Sequence, residues 1–385
     1  LTTRGYAAAE AGRAYDRAWE LCQQLGETPQ LFPVLWSLAV FFGGRAEYDV
    51  SLEIATRLLS IAEQAGEPVQ VALAHWVLGW RLFFGGEFVS AKAHLEQAIT
   101  FYDPQQYQAL AFLYGQDFGV GARSVAAWTL WMLGYPDQAR QHSQEAITLA
   151  QKLSHPHSLA FAQVYAATLH VFCRDSQAAQ TWAEKVIELS TRLRILYWLG
   201  AGFFCRGWAL VEQGQAAEGI ANIRQSVTSF LESGTKTCQT LPLVGLAEAY
   251  GKTGQIEAGL TALAEVLTLA HCTGERFYEA EIHRLRGELL LKVEGGRPLL
   301  KVEGGRLKDE ESPEACFLKA IEVARRQEAR SLELRATVSL GRLWQSQGKR
   351  EEARRMLAEI YGWFSEGFET VDLKEVKMLL AELSK

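Results

Sequence analysis

The chain repeats itself every 40 residues, and that period limits what it can fold into more than any other feature. Short turns carrying Gly, Asp or Pro recur along it. With Ala46, Gly86, Gly134, Arg174, Gly214 and Gly254 as reference points, the separations by subtraction are 40, 48, 40, 40 and 40 residues. Seven residues before these points stand Ala39, Gly79, Ala127, Ala167, Gly207 and Ala247, and Gly341 has the same place before Gly348. Five residues after them stand Ser51, Ala91, Ala139, Ala179, Gly219, Gly259 and, after Gly348, Ala353. All of these are Ala, Gly or Ser. A glycine inside a helix costs roughly 0.5–1 kcal/mol relative to alanine. Its use at Gly79, Gly207, Gly219, Gly259 and Gly341 makes sense if two helix backbones must approach closely there. Two small residues twelve apart across a turn describe an antiparallel helix pair with a tight crossing.

The flanks of these turns have helical periodicity. The segment QIEAGLTALAEVLTLAHC (255–272) places Ile256, Leu260, Leu263, Val266, Leu267 and Ala270 at helix spacing. Pro29, Pro68, Pro156 and Pro242 fall near the starts of first helices, and Pro136 and Pro313 near the starts of second helices. There the missing N–H has no partner to lose. No stretch alternates as a strand would. The expected architecture is all-α, one repeat array over 1–385. Residues 1–26 form a partial N-terminal repeat. About eight helix pairs occupy 28–360, near 28–65, 67–102, 117–153, 156–192, 195–233, 238–273, 275–326 and 330–360. Residues 361–385 supply a C-terminal capping helix with Val376, Leu379, Leu380 and Leu383 on one side. Two segments interrupt the rhythm. Asp103 to Asp117 adds eight residues, and LLKVEGGR occurs twice, at 290–297 and 299–306, which reads as a duplication in a tolerant loop.

Composition narrows the function classes. Hydrophobic residues make up 48% and charged residues 22% of 385, enough to bury a large core. The formal charge of -6 gives no basic excess for nucleic acid or an anionic membrane. The longest strongly apolar stretch, Ile195 to Cys205, is too short to span a bilayer. Six dispersed cysteines with no C-x-x-C spacing suit reduced thiols in a cytoplasmic protein. The first residue is Leu1, so the chain is expected to begin inside a longer polypeptide.

Catalytic and metal-binding patterns are absent or better explained otherwise. Gly251-Lys252-Thr253 with Gly245 upstream has five residues between its glycines rather than the four of a phosphate loop, and it ends a helix. His155-Pro156-His157 lacks a third ligand and suits a loop and helix cap. His75, His170 and His283 fall within first helices as packed residues. The cysteines have no neighbours for zinc, and no G-x-S-x-G or Cys/His dyad is present. The expectation is a non-catalytic chain with no metal and no cofactor.

The small–turn–small spacing resembles the tetratricopeptide family, in a long-repeat variety similar to that of large ATP-dependent bacterial regulators. Segments such as LGETPQLFPVLW (25–36), HLEQAITFYDPQQY (94–107), LWMLGYPDQA (130–139), GERFYEAEIHRLRGELLL (274–291) and IYGWFSEGFET (360–370) resemble the C-terminal repeat region of bacterial adenylate/guanylate cyclase–ATPase proteins of the STAND or AAA type. The resemblance implies a right-handed superhelix whose first helices line a concave surface. It also implies a sensor or partner-binding arm in a signalling protein. Family geometry turns Trp36, Trp76, Trp80, Phe83, Trp128, Trp131, Phe204 and Trp208 toward that surface. These rings would be binding anchors or packing between long helices. Three functions follow. The first is a groove for a protein or peptide, including the parent's own ATPase domain, with no nucleic acid and no membrane. The second is a self-association module, giving a homo-oligomer. The third is the regulatory part of a cyclase whose catalytic domains lie elsewhere.

Overall fold

The computed structural model describes residues 9–24, 31–107, 110–293 and 312–385; most of the LLKVEGGR duplication lies outside them. The described residues are helical, with no strand among them. Helix α1 (Ala9–Gln24) precedes the pairs α2 (Phe32–Gly44) with α3 (Tyr48–Ala65) and α4 (Pro68–Gly85) with α5 (Phe88–Thr100). The short α6 (Pro104–Tyr107) and α7 (Leu110–Tyr114) occupy the first irregular segment. Then come α8 (Phe118–Met132) with α9 (Pro136–Leu153), α10 (Pro156–Phe172) with α11 (Ser176–Leu193), and α12 (Leu196–Glu212) with α13 (Ala216–Ser233). The array continues with α14 (Thr240–Lys252) and α15 (Ile256–Thr273), α16 (Glu279–Leu291) and α17 (Pro313–Arg326), and α18 (Arg330–Ser346) and α19 (Arg350–Trp363). It ends with α20 (Val371–Leu383). This is a tetratricopeptide-like helical solenoid.

The turn positions that set the sequence period share one backbone conformation. Ala46, Gly86, Gly134, Arg174, Gly214, Gly254 and Gly348 have φ of 58°, 82°, 90°, 58°, 84°, 77° and 81°. A left-handed residue costs an L side chain roughly 1–2 kcal/mol and glycine almost nothing, which explains why glycine dominates the set. Five of the second helices end the same way, at Gly66, Ser154, Arg194, Gly234 and Gly274.

The small residues lie at the crossings. A Cβ on Gly207 would stand 2.7 Å from Gly219 O, and one on Gly219 would stand 2.6 Å from Gly207 O. The α12–α13 pair therefore packs backbone on backbone. At the first crossing Ser51 Oγ donates to Ala39 O at 2.7 Å, so the small polar residue ties the pair together. First helices of the first turn are sandwiched between neighbours and buried nearly all round: in α8, Arg123 is the one residue not buried. Second helices bury a single face, such as Ala179, Ala183, Val186 and Leu189 of α11.

The solenoid also closes on itself. The last turn of a helix leaves carbonyls without partners, and in four first helices a donor from far along the chain supplies one. Lys236 N donates to Gly44 O at 2.9 Å and Arg276 N to Phe84 O at 2.8 Å. Ser331 Oγ donates to Trp131 O at 2.6 Å, and the Arg335 guanidinium donates to Phe172 O. The first two pairs are each 192 residues apart by subtraction (236 − 44, 276 − 84), just under five 40-residue repeats. The second superhelical turn thus rests on the helix ends of the first. A clasp fixes the far end. Glu366 Oε1 accepts from Asp137 N at 2.9 Å and Gln138 N at 3.1 Å, while Gly367 N donates to Asp137 Oδ2 at 2.9 Å.

Gly207→Ala should destabilise the fold by about 1–3 kcal/mol in urea unfolding, the usual cost of overpacking. Gly362→Ala, in α19 with nothing within 4 Å of an added Cβ, should instead stabilise by roughly 0.5–1 kcal/mol through helix propensity.

Candidate functional site

All eight rings singled out from the sequence are buried. Six of them, Trp36, Trp76, Trp80, Phe83, Trp128 and Trp131, belong to a sealed aromatic core, which corrects the expectation that they line an open groove. Trp76 stacks on Trp80 with centroids 5.8 Å apart, and Trp36 packs on Tyr114 at 4.6 Å. Trp128 stacks on Tyr165 at 4.1 Å and Trp131 on Phe172 at 5.1 Å. The cover comes from the second superhelical turn: Phe277 lies 5.2 Å from Phe83 and 6.5 Å from Trp128, and Tyr278 lies 5.5 Å from Phe172. The concave face of the first turn is filled by the segment that begins the seventh helix pair. Phe277 and Tyr278 precede α16 rather than lying within a first helix, so an offset rule counted along first helices never reaches them.

A polar island sits in the same seam. The Tyr48 hydroxyl lies 2.5 Å from Thr237 Oγ1 and donates to Glu275 Oε2 at 2.9 Å; Cys238 N donates to the same oxygen at 2.9 Å and Thr240 Oγ1 to Glu275 Oε1. Burial raises the Glu275 pKa, with these hydrogen bonds opposing it. Arg81 lies beside the island, also buried, over the Trp80 ring at 4.0 Å. Its guanidinium takes the space a Cβ on Gly43 would need, in the last turn of α2, where the helix dipole favours a cation.

Phe204 and Trp208 have a different setting. They form part of the wall of an open cavity of about 300 Å³, built from α10, α12, α14, α16, α18 and α20. Val244, Leu285, Leu289 and Val338 supply further apolar lining. Around it runs a ladder of charges. Trp208 Nε1 donates to Glu248 Oε2 at 3.2 Å, and Lys252 Nζ pairs with Glu248 at 3.0 Å and with Glu212. Burial works against the Lys252 charge, but these two carboxylates outweigh it and hold its pKa above the usual range. Arg284 grips Glu281 with bonds of 2.6 and 2.9 Å, and Ser339 Oγ donates to Glu288 at 2.6 Å. Burial pushes the Glu281 pKa up, and Arg284 more than reverses this. Arg335 Nη2 binds Asp372 at 2.8 Å, Arg174 reaches both Asp372 and Glu375, and Arg342 pairs with Glu375 at 2.5 Å. The cavity combines an apolar wall with fixed charges of both signs. No group of three or more His, Cys, Asp or Glu that could hold a metal occurs among the described residues.

The remaining candidate residues have structural settings. Lys252 ends α14 and Thr253 caps it. His155 caps α10, its Nδ1 accepting from Ser158 N at 3.3 Å. His157 is buried and accepts from Trp198 Nε1 at 3.3 Å through Nε2, which requires an unprotonated nitrogen. Burial pushes its pKa down to about 3. His75 and His94 meet with their Nδ1 atoms 2.8 Å apart, and burial and mutual repulsion lower His75 to about 4.

The sequence model of the tetratricopeptide repeat matches residues 72–97, 120–145 and 334–359. Each stretch puts its small residues at its eighth and twentieth positions: Gly79 and Ala91, Ala127 and Ala139, Gly341 and Ala353. The chain therefore carries tetratricopeptide repeats. It is similar to an uncharacterised protein of Rhizobium meliloti, 23% identical over 348 residues, which cover 89% of this chain and 32% of that protein. The chain thus spans about a third of that relative's length. Among solved structures it is similar to a Rap protein complexed with competence and sporulation factor, with a TM-score of 0.63, 12% identity, and coverage of 99% of this chain and 96% of that one. It also matches a signal transduction ATPase with numerous domains and a tetratricopeptide repeat sensor from Pyrococcus horikoshii, at 14% identity, 97% and 55% coverage and a TM-score of 0.45.

Phe277→Ala should remove the plug between the turns and cost about 3–5 kcal/mol in urea unfolding, as large aromatic truncations do, with greater quenching of tryptophan fluorescence by acrylamide. Acid should also weaken the fold through His157. Its folded pKa lies near 3 and its unfolded pKa at 6.5, so between these values the unfolded chain binds the extra proton and stability falls as pH falls. Between pH 7 and 4.5 the Tm of the parent should drop more steeply than that of His157→Gln, which keeps an acceptor for Trp198 but does not titrate.

Proposed function

We propose that this chain is the partner-recognition arm of a larger bacterial ATPase-type signalling protein, and that the charged cavity is where the partner binds. The observation that carries this reading is the cavity itself, a concave site of about 300 Å³ with an apolar wall and converging charges. It is of a size with ligand sites in general. On this reading residues 1–385 form one array capped by 361–385, and the arm recognises a protein or peptide in the cytoplasm while chemistry belongs to other domains of the parent. Three further points support it. The resemblance to cyclase–ATPase repeat regions runs through most of the chain. The Rhizobium relative is about three times as long as the matched stretch. The Rap protein that shares the fold was crystallised with a bound factor. Among the described residues no helix is long and apolar enough to cross a membrane. The self-association reading loses its motive, because the rings that would have met a second copy are covered by the chain's own second turn.

A photo-crosslinking residue placed at Arg342, on the cavity, tests the assignment in cells carrying the intact parent. The control is the same residue at Glu188, exposed on α11. Adducts at 342 and none at 188 are expected. Equal adducts, or none at either position, would overturn the assignment of the cavity.

A further inference from the structure

Helix α20 lines the cavity with two residues, Asp372 and Glu375. Its apolar face packs elsewhere. Leu373, Val376 and Leu379 join Leu334 of α18 and Leu357 and Ile360 of α19 in a cluster separate from the core that runs through the first turn and its plug. This packing seats α20 on the last helix pair and leaves its place against the first turn to polar contacts. The clasp at Glu366 and Gly367 holds the connection before α20. Within α20, Asp372 and Glu375 carry the contact, and both meet Arg174, just past the end of α10. Arg174 Nη1 donates to Asp372 Oδ1 at 3.2 Å and to Glu375 Oε2 at 2.7 Å. Burial and nearby Arg335 work against the Arg174 charge, but Asp372 and Glu375 outweigh them and raise its pKa. Arg335 and Arg342 also bind these carboxylates, at Asp372 and Glu375 respectively, and both belong to α18. Arg174 is the cation that the first turn itself supplies.

Arg174 holds this place against a backbone penalty. It is one of the positions that set the 40-residue period, where Gly86, Gly134, Gly214, Gly254 and Gly348 also have positive φ. Arg174 adopts the same left-handed conformation at φ 58°, which strains any L side chain and spares glycine. A residue kept in a strained conformation points to a role for its side chain. Here the side chain reaches two carboxylates 198 and 201 residues away, both on the cavity wall. From this we infer that Arg174 is a positioning residue of the cavity: through Asp372 and Glu375 it sets where α20 stands against the end of α10, and so the outline that a partner meets. The inference rests on the cavity being the partner site, and adds the residue that fixes the shape of that site. One nitrogen makes both bonds to α20, so a point charge serves at 174 where a fork would be needed at a bidentate site.

Site-resolved amide hydrogen exchange on the intact chain tests the hold on α20. Arg174→Gly removes the guanidinium and leaves a residue suited to the left-handed turn, so the urea midpoint should not fall. The amides of α20 should then exchange about tenfold faster, and those of α19 should not change. Arg174→Lys should bring α20 exchange back to within about threefold of the natural sequence, because Nζ takes the place of Nη1. The same variants are then compared by photo-crosslinking in cells carrying the intact parent. The crosslinker stands at Lys292, a cavity residue that bonds to Gly251 O rather than to α20. Adduct yield should fall at least threefold with Arg174→Gly and recover with Arg174→Lys. Unchanged α20 exchange in Arg174→Gly would overturn the inference, and a loss of adducts in that case would mark Arg174 as a direct contact instead. Faster exchange in α19 and α20 together, with a lower urea midpoint, would make Arg174 an ordinary stabilising contact and overturn it as well. So would a loosened α20 with full adduct yield. No adducts at 292 with Arg174 in place would overturn the cavity as the partner site, and the inference with it, whatever α20 does.

Discussion

The structure depends on the helix-end carbonyls of the first superhelical turn finding donors in the second. Gly44 O, Phe84 O and Phe172 O lie in the last turns of α2, α4 and α10, where a helix leaves its carbonyls unpaired, and Trp131 O in the last turn of α8 takes Ser331 as a second donor beside Gly134 N. Water would satisfy them on an open solenoid. Here the backbone of 236 and 276 and the side chains of Ser331 and Arg335 do so, and that requires the turns to touch. Once they touch, the concave face between them must be filled, and Phe277 and Tyr278 fill it. The aromatic richness of the first turn then follows from geometry. Long helices in a tight superhelix enclose a wide axis, and large rings fill such a space at interior packing density.

Closure divides the inner face into a packed core and an open cavity. In the first turn the inner face is dry core, with a polar island in which Tyr48, Thr240 and Cys238 N satisfy a buried Glu275. In the second turn the inner face is uncovered among the described residues, and the first helices there line the open cavity. That face carries many charged side chains, and its aromatic lining is Phe172, Phe204, Trp208 and Tyr278. The same segment that plugs the first turn leads into α16, which forms a wall of the cavity through Glu281, Arg284 and Glu288. The plug between the turns and a wall of the cavity are therefore parts of one continuous segment.

Much of the fold was legible in the sequence because its cause is local. The 40-residue period reflects a left-handed turn residue, and glycine at Gly86, Gly134, Gly214 and Gly254 records it directly. The pairs twelve apart record close helix crossings, and Gly207 with Gly219 meet as that spacing requires. The fate of the rings was not legible. Positions such as Trp80 and Trp128 turn toward the superhelix axis whether the axis is open or filled, and only the pitch decides between the two. The pitch arises from contacts 163 to 200 residues apart, which leave no periodic trace. The sequence contrast between aromatic early repeats and charged late ones, Glu248 and Arg342 against Trp80 and Trp128, did mark the boundary between core and cavity. Of the two readings the rings allowed, anchors or packing between long helices, packing holds for the six of the first turn.

The central claim is that the solenoid is closed, with its second turn seated on the first. Site-resolved amide hydrogen exchange tests it at Lys236 and Arg276. Both amides lie in connections between helix pairs, outside any helical hydrogen-bond ladder, and their acceptors are Gly44 O and Phe84 O in the first turn. If the turns are seated as described, both should exchange as slowly as amides in the middle of α12. Exchange at the rate of an unstructured peptide at these two positions, in a chain whose helices remain protected, would show an open solenoid and contradict the account.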